Sequence, residues 1–190
     1  MQRRSQILIA LIPLFFAIQQ ASEGVLWLTL NGTFPSEIAK LWSMRIFLFF
    51  ASIFWPFWIA FSLLIDETVP WRKSLLAFFA FAGFAMGFFN LYFGILKGYS
   101  VDVTDYRIHY MGGLPDERWI YVAIVVLPTF ISSFKNAWMM GVLIFFTSVI
   151  ATIFYDFAFI SVWCFFAAII SMFLYKLFYD AAKIKQPDLK

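Results

Sequence analysis

The chain has 190 residues, 63% of them apolar and only 13% charged, with a formal net charge of +3 and a mean hydropathy of +0.85. Ordinary soluble domains are about half apolar and a quarter charged, so this composition excludes a water-soluble globular domain. The small basic excess gathers at the ends of apolar runs, where it suits anionic lipid headgroups and not nucleic acid.

In lipid, every backbone polar group must be satisfied within its own segment, which leaves helices or a closed barrel. The apolar runs are roughly 17 to 25 residues long and lack the ten-residue alternation of barrel strands. An all-α integral membrane bundle of about six transmembrane helices is predicted, one domain over residues 1–190. The 27 Phe, eight Trp and eight Tyr suit lipid-facing and interhelical surface, although a lipid, quinone or polyisoprenoid site would use the same residue types. One His and one Cys exclude a His/Cys zinc cluster within the chain. Neither a metal nor a cofactor is expected. No nucleophile–base pair or phosphate-cradling glycine loop stands out, so no catalytic residue is assigned.

Met1-Gln2-Arg3-Arg4 precedes the first span, residues 6–30. This run is longer than the apolar core of a signal peptide and contains Gln19, Gln20 and Glu23, so it reads as a retained helix. Pro13 is expected to kink it. Asn31-Gly32-Thr33-Phe34-Pro35 is a turn. The second span covers 44–65, its start lying between Ile38 and Met44, and Pro56 within Trp55-Pro56-Phe57-Trp58 should bend it. Residues 66–73 read as a polar loop with Trp71 at the interface. The third span, 74–96, places Gly83, Gly87, Asn90 and Gly94 on one face, which lets another helix approach closely. Asn90 is then a polar contact across that interface.

Residues 97–118 form an external loop. Val101-Asp102-Val103 and Arg107-Ile108-His109-Tyr110 alternate, which predicts a short β-hairpin, closed by Gly112-Gly113 and Pro115. His109 reads as a solvated loop residue. A shorter span with Pro128 inside covers 119–134, and Ser132 to Asn136 makes a tight turn. Spans 137–155 and 157–179 follow, and residues 180–190 form a basic tail. In the last span Ser161, Cys164, Ala168 and Ser171 share a stripe that faces other helices.

Six spans sort the charges. Nine of the 14 basic residues fall on one side: Arg3, Arg4, Arg72, Lys73, Lys135, Lys176, Lys183, Lys185 and Lys190. The positive-inside rule makes that side cytoplasmic, with both termini, and turns the hairpin outward. Ten of the 11 acids then lie in loops or at helix ends. Glu23 alone remains at membrane depth.

An ionised carboxylate is costly inside a bilayer unless it is neutralised, paired or facing water. Gln19 and Gln20 lie within one helical turn before Glu23, and Trp27 lies one turn after it. A purely structural role would have this cluster glue helices together through Asn90, Tyr155 or the Ser161 stripe. A functional role would make it a binding or proton-handling site. Only about seven residues separate Glu23 from the loop at Asn31, which at 1.5 Å per residue is about 10 Å of depth.

The run Phe16-Ala17-Ile18-Gln19-Gln20-Ala21-Ser22-Glu23-Gly24-Val25-Leu26-Trp27-Leu28 resembles the signature of an uncharacterised bacterial membrane protein family, a domain of unknown function. Phe54-Trp55-Pro56-Phe57-Trp58 is similar to its second block, and Phe159 to Ala168, containing Trp163-Cys164-Phe165, to its last-helix block. Order and spacing agree over most of the chain. Longer members open with an extra helix that this chain lacks, which implies a short member or a different start site and weighs against a seven-helix architecture here. The resemblance implies no reaction.

The expected function is binding or movement of a small or lipidic ligand in a bacterial inner membrane. Glu23, Gln19, Gln20, Trp27, Asn90 and Trp55 are the expected ligand-lining residues. A non-catalytic subunit that packs on a protein partner or a second copy is the alternative. A membrane enzyme acting on lipid is third, with Cys164 or Tyr155 as its reactive group.

Overall fold

The computed structural model describes residues 4–104, 106–111 and 118–184, with side chains to Met172 except that of Phe157. Arg3, Asp105, the Gly112-Gly113 and Pro115 closure of the hairpin, and residues 185–190 of the basic tail lie outside the described residues. The helices are α1 (Arg4–Leu30), α2 (Glu37–Leu64), α3 (Pro70–Lys97), α4 (Arg118–Ile131), α5 (Ala137–Phe154) and α6 (Phe159–Ile184). Four of them, α1, α2, α3 and α5, are long and apolar enough to cross a membrane. Helix α4 and the stretch Phe159–Met172 of α6 are shorter apolar helices.

Two helix starts and one interruption each have a local reason. Helix α2 begins at Glu37, beside the earlier expected start at Ile38 and ahead of the 44–65 span, because Ser36 caps it by accepting from the Ala39 N–H and Glu37 sits favourably in the first turn. Helix α3 begins at Pro70, so Trp71, Arg72 and Lys73 belong to its first turn and not to the preceding loop. Proline suits that first position because its missing N–H would have had no helical partner. Helix α1 is interrupted for one residue at Leu11, where Pro13 leaves the carbonyl of Ile9 without its usual donor.

Pro56 acts on α2 in the same way. It cannot donate to the carbonyl of Ser52, and the turn before it widens to π geometry over Phe50–Phe54, with the Trp55 N–H bonded to the Phe50 carbonyl. Helix α3 lies against this widened turn. A Cβ on Gly83 would stand 2.5 Å from the Pro56 carbonyl oxygen, and one on Gly87 would run into the backbone of Ser52 and Ile53. The glycine face therefore serves helix packing at these two positions. Gly94, further along the same face, packs on the Tyr99 ring instead of a neighbouring helix.

The core is apolar and aromatic where α1, α2, α4, α5 and α6 converge, around Phe16, Trp55, Ile59, Val125, Met140, Ile144 and Trp163. At one end of the bundle, the Ser5 N–H donates to Asp66 Oδ2 at 2.8 Å. There too, Glu67 ties the α2–α3 loop to the α4–α5 loop. Its Oε2 accepts from the Ser133 N–H at 2.8 Å, and its Oε1 from the Ser133 hydroxyl and the N–H groups of Thr68 and Val69. Arg72 Nη1 donates to Ser133 Oγ at 2.6 Å. Burial opposes ionisation of Glu67, but these four donors together hold its carboxyl below the usual carboxylate range.

The opposite end carries a two-stranded antiparallel hairpin, β1 (Ser100–Thr104) and β2 (Arg107–Met111). Asp102 faces His109 across it, Val103 faces Ile108 and Val101 faces Tyr110. The hairpin was expected as a loop outside the bundle. Instead its apolar face packs down: Ile108 is buried with Leu26, Met44 and Leu48. His109 is only partly exposed and lies 3.7 Å from Asp102 across the strands.

Two outcomes follow for stability. Gly87→Ala should cost about 1–3 kcal/mol through overpacking, whereas Gly24→Ala, with nothing within 4 Å of the added carbon, should gain about 0.5–1 kcal/mol. Thermal unfolding in detergent separates them. Because Glu67 has a lowered folded-state pKa, its contribution is present above the ordinary carboxyl range and lost as pH falls through the folded value. The stability gap between wild type and Glu67→Gln should therefore narrow between about pH 6 and pH 3.

Candidate functional site

The polar cluster singled out in α1 lies in its C-terminal half, on the turns between Gln19 and Trp27. Gln19 is wholly buried, 0% exposed. Its Oε1 accepts from the indole Nε1–H of Trp55 at 2.6 Å, and its Nε2 donates to the Cys164 sulfur at 3.3 Å. Trp55 stacks on Phe16 with ring centres 3.9 Å apart. One amide thus joins α1, α2 and α6, and both of its functional ends are occupied. The Ser22 hydroxyl donates to the Gln19 carbonyl within the helix.

Glu23 is 8% exposed and sits one turn further on. The Tyr110 hydroxyl of β2 donates to its Oε1 at 3.3 Å. Ser161 of α6 and Gln20 flank the same carboxyl as further hydrogen-bonding groups. Gln20 holds no ideal geometry there: its buried Nε2 has no hydrogen-bond partner among the described residues. Tyr110 is positioned by a parallel stack on buried Phe47, with ring centres 4.7 Å apart and planes 6° from parallel. Burial, and then the charge of Glu23, raise the Tyr110 hydroxyl well above its ordinary range, so it remains a donor.

Beside this carboxyl opens a cleft of about 490 Å³. Gln20, Glu23, Gly24 and Trp27 of α1 form one wall, and Ser161, Val162 and Phe165 of α6 form another. Tyr106, Arg107 and Ile108 of the hairpin close the third side. This volume is in the range of small-molecule sites, and the mixture of apolar walls with a few convergent polar groups is also typical of them. A separate crevice between the helices, lined by Ile12, Phe16, Trp55, Ile144 and Cys164 among others, offers only about 50 Å³ and contains no acid.

The expected site residues therefore divide. Glu23, Gln20 and Trp27 line the cleft. Gln19 and Trp55 lie beneath it and bond to each other. Asn90 is elsewhere: its Oδ1 accepts from the Tyr99 hydroxyl at 2.9 Å, at the root of the hairpin, and burial pushes that hydroxyl to about 12. Tyr155, the other expected contact, lies under Arg107, whose guanidinium carbon is 4.7 Å from the ring centre. Cys164 takes the Gln19 amide.

Arg107 and Ser161 on the cleft wall and Tyr110 on the carboxyl are polar groups outside the expected set. A signal for Tyr110 was present. Val101, Val103, Ile108 and Tyr110 fall on one face of the alternating hairpin, and a loop surrounded by water has no use for an apolar face.

The chain matches a family described as a family of unknown function (DUF6629) over residues 1–187, and it belongs to that family. No curated protein and no solved structure matches it.

Gln19→Leu would leave the Trp55 indole buried without an acceptor, and an expected loss of about 1–3 kcal/mol follows. Trp55→Phe removes the same bond and also buried ring surface stacked on Phe16, so the double variant should lose less than the sum of the two single variants. A double-mutant cycle by thermal unfolding measures the coupling.

Proposed function

We propose that this member of a family of unknown function is a multi-pass membrane protein that binds or moves a small or lipidic ligand in the cleft beside Glu23. One observation carries the reading: the cleft opens on an acid that three neutral side chains only partly surround. A carboxyl serving purely as glue has no need of a void of about 490 Å³ next to it. Acids within membrane helices are rare and mark ligand or proton pathways.

In this reading α1, α2, α3 and α5 cross the bilayer together with the shorter α4 and α6, making six spans in a bacterial inner membrane. Arg72, Lys73 and Lys135 lie at the bundle end held together by Glu67 and Ser133, and the positive-inside rule makes that end cytoplasmic. The cleft then lies near the outer surface under the hairpin. Glu23 is the acceptor for the ligand, Gln20 and Ser161 supply neutral polar contacts, and Trp27 supplies an amphipathic wall.

The alternative is a non-catalytic subunit of a membrane complex. It is supported by α3, which turns Phe78, Phe81, Phe88, Phe89 and Tyr92 outward along its length. A partner helix would suit that face, as lipid does.

Glu23→Gln distinguishes the two. With the protein purified in nanodiscs, the variant should unfold within a few degrees of wild type and retain about tenfold less co-purified ligand by mass spectrometry. A sharp fall in unfolding temperature with unchanged co-purified molecules would establish Glu23 as structural glue instead.

A further inference from the structure

An acidic and a basic residue line the same cleft without pairing. Glu23 reaches it from α1 and Arg107 from β2. Among the described residues, neither takes part in an ion pair. The Tyr110 hydroxyl donates to Glu23, and the other polar side chains beside that carboxyl, Ser161 and Gln20, are neutral too. Arg107 is held over the Tyr155 ring, and the pairing of Thr104 with Arg107 fixes it at the turn end of the hairpin. Ring contact and strand register keep Arg107 apart from Glu23, and the gap between them is the cleft.

We propose that this gap is built for a zwitterion, with an ammonium group at Glu23 and a phosphate at Arg107. This deepens the ligand-binding reading above and rests on it. A primary ammonium has three donors, and the Glu23 carboxyl, the Ser161 hydroxyl and the Gln20 amide oxygen can accept them. A guanidinium matches phosphate oxygens in a bidentate fork. The chemistry is that of phosphoethanolamine, carried by a lipid headgroup or by the free soluble molecule. Trp27, Val162 and Phe165 along the walls favour the lipid, because they offer apolar surface where its glycerol and first acyl carbons would lie.

The test uses the full chain in detergent, with dioctanoyl phosphatidylethanolamine, phosphatidylcholine and phosphatidylglycerol added separately and bound lipid counted by native mass spectrometry. Wild type should prefer the ethanolamine lipid by about tenfold over either other lipid, since choline has no N–H donors and glycerol no cation. Glu23→Gln should abolish that preference. Arg107→Gln, at an exposed position on the hairpin, should weaken all three lipids and leave the ranking unchanged. Soluble phosphoethanolamine competing at concentrations similar to the lipid would make the free zwitterion the source, and failure to compete would make it the lipid. Equal binding of the three lipids by wild type, unchanged in ranking or strength by either substitution, would overturn the zwitterion while leaving a ligand site intact. Retention of neither lipid nor soluble zwitterion by wild type would overturn both readings. If Glu23→Gln does not fold, the Arg107→Gln result and the wild-type ranking still decide.

Discussion

The bond between the Trp55 indole and the Gln19 amide sets the position of everything above it. Gln19 is wholly buried, and each end of its amide is matched by a group from a different helix, the indole of α2 and the sulfur of α6. A buried amide that lost either partner would bear the full desolvation cost of the orphaned atom, so the three helices are held in one relative placement at this level. Glu23 lies one turn along α1, and Ser161 lies about one turn before Cys164 on α6. The geometry that satisfies Gln19 therefore brings Glu23 and Ser161 to the same opening.

Helix α2 is placed by backbone chemistry as well. Pro56 withdraws one donor, the chain widens into a π turn, and the Ser52 and Pro56 carbonyls lie against Gly87 and Gly83 of α3. Neither feature would work alone. Side chains in place of Gly83 and Gly87 would hold α3 away from the widened turn, and Trp55, the first residue after it, would no longer be aimed in the same way at Gln19.

The hairpin completes the site. Strand alternation gives it an apolar face, which packs on α1 and α2 through Ile108 and carries Tyr110 to the Glu23 carboxyl. At its turn end Arg107 lies on Tyr155. A segment that reads as external loop thus supplies one wall of the cleft, one donor to the acid and one guanidinium. In the proposed membrane setting it would also screen Glu23 from the water layer.

Composition and periodicity alone determined the apolar, helical architecture and the hairpin, since each is a local property of the chain or a sum over it. The helix starts at Ser36-Glu37 and at Pro70 were legible too, in capping residues whose effect is confined to one turn. The grouping of Arg72 with Ser133 at one end, and of Arg107 with Tyr155 at the other, agrees with the order of the spans. Only tertiary structure decided which polar residues meet. Gln19, Gln20 and Glu23 are adjacent in sequence, yet the first is consumed by Trp55 and Cys164 while the other two line a cleft. Asn90, on a face that looked equivalent, turns to Tyr99. The distance between Glu23 and Tyr110 along the chain is 87 residues, and contacts of that range depend on how α1, α2 and α6 pack, which no local pattern encodes.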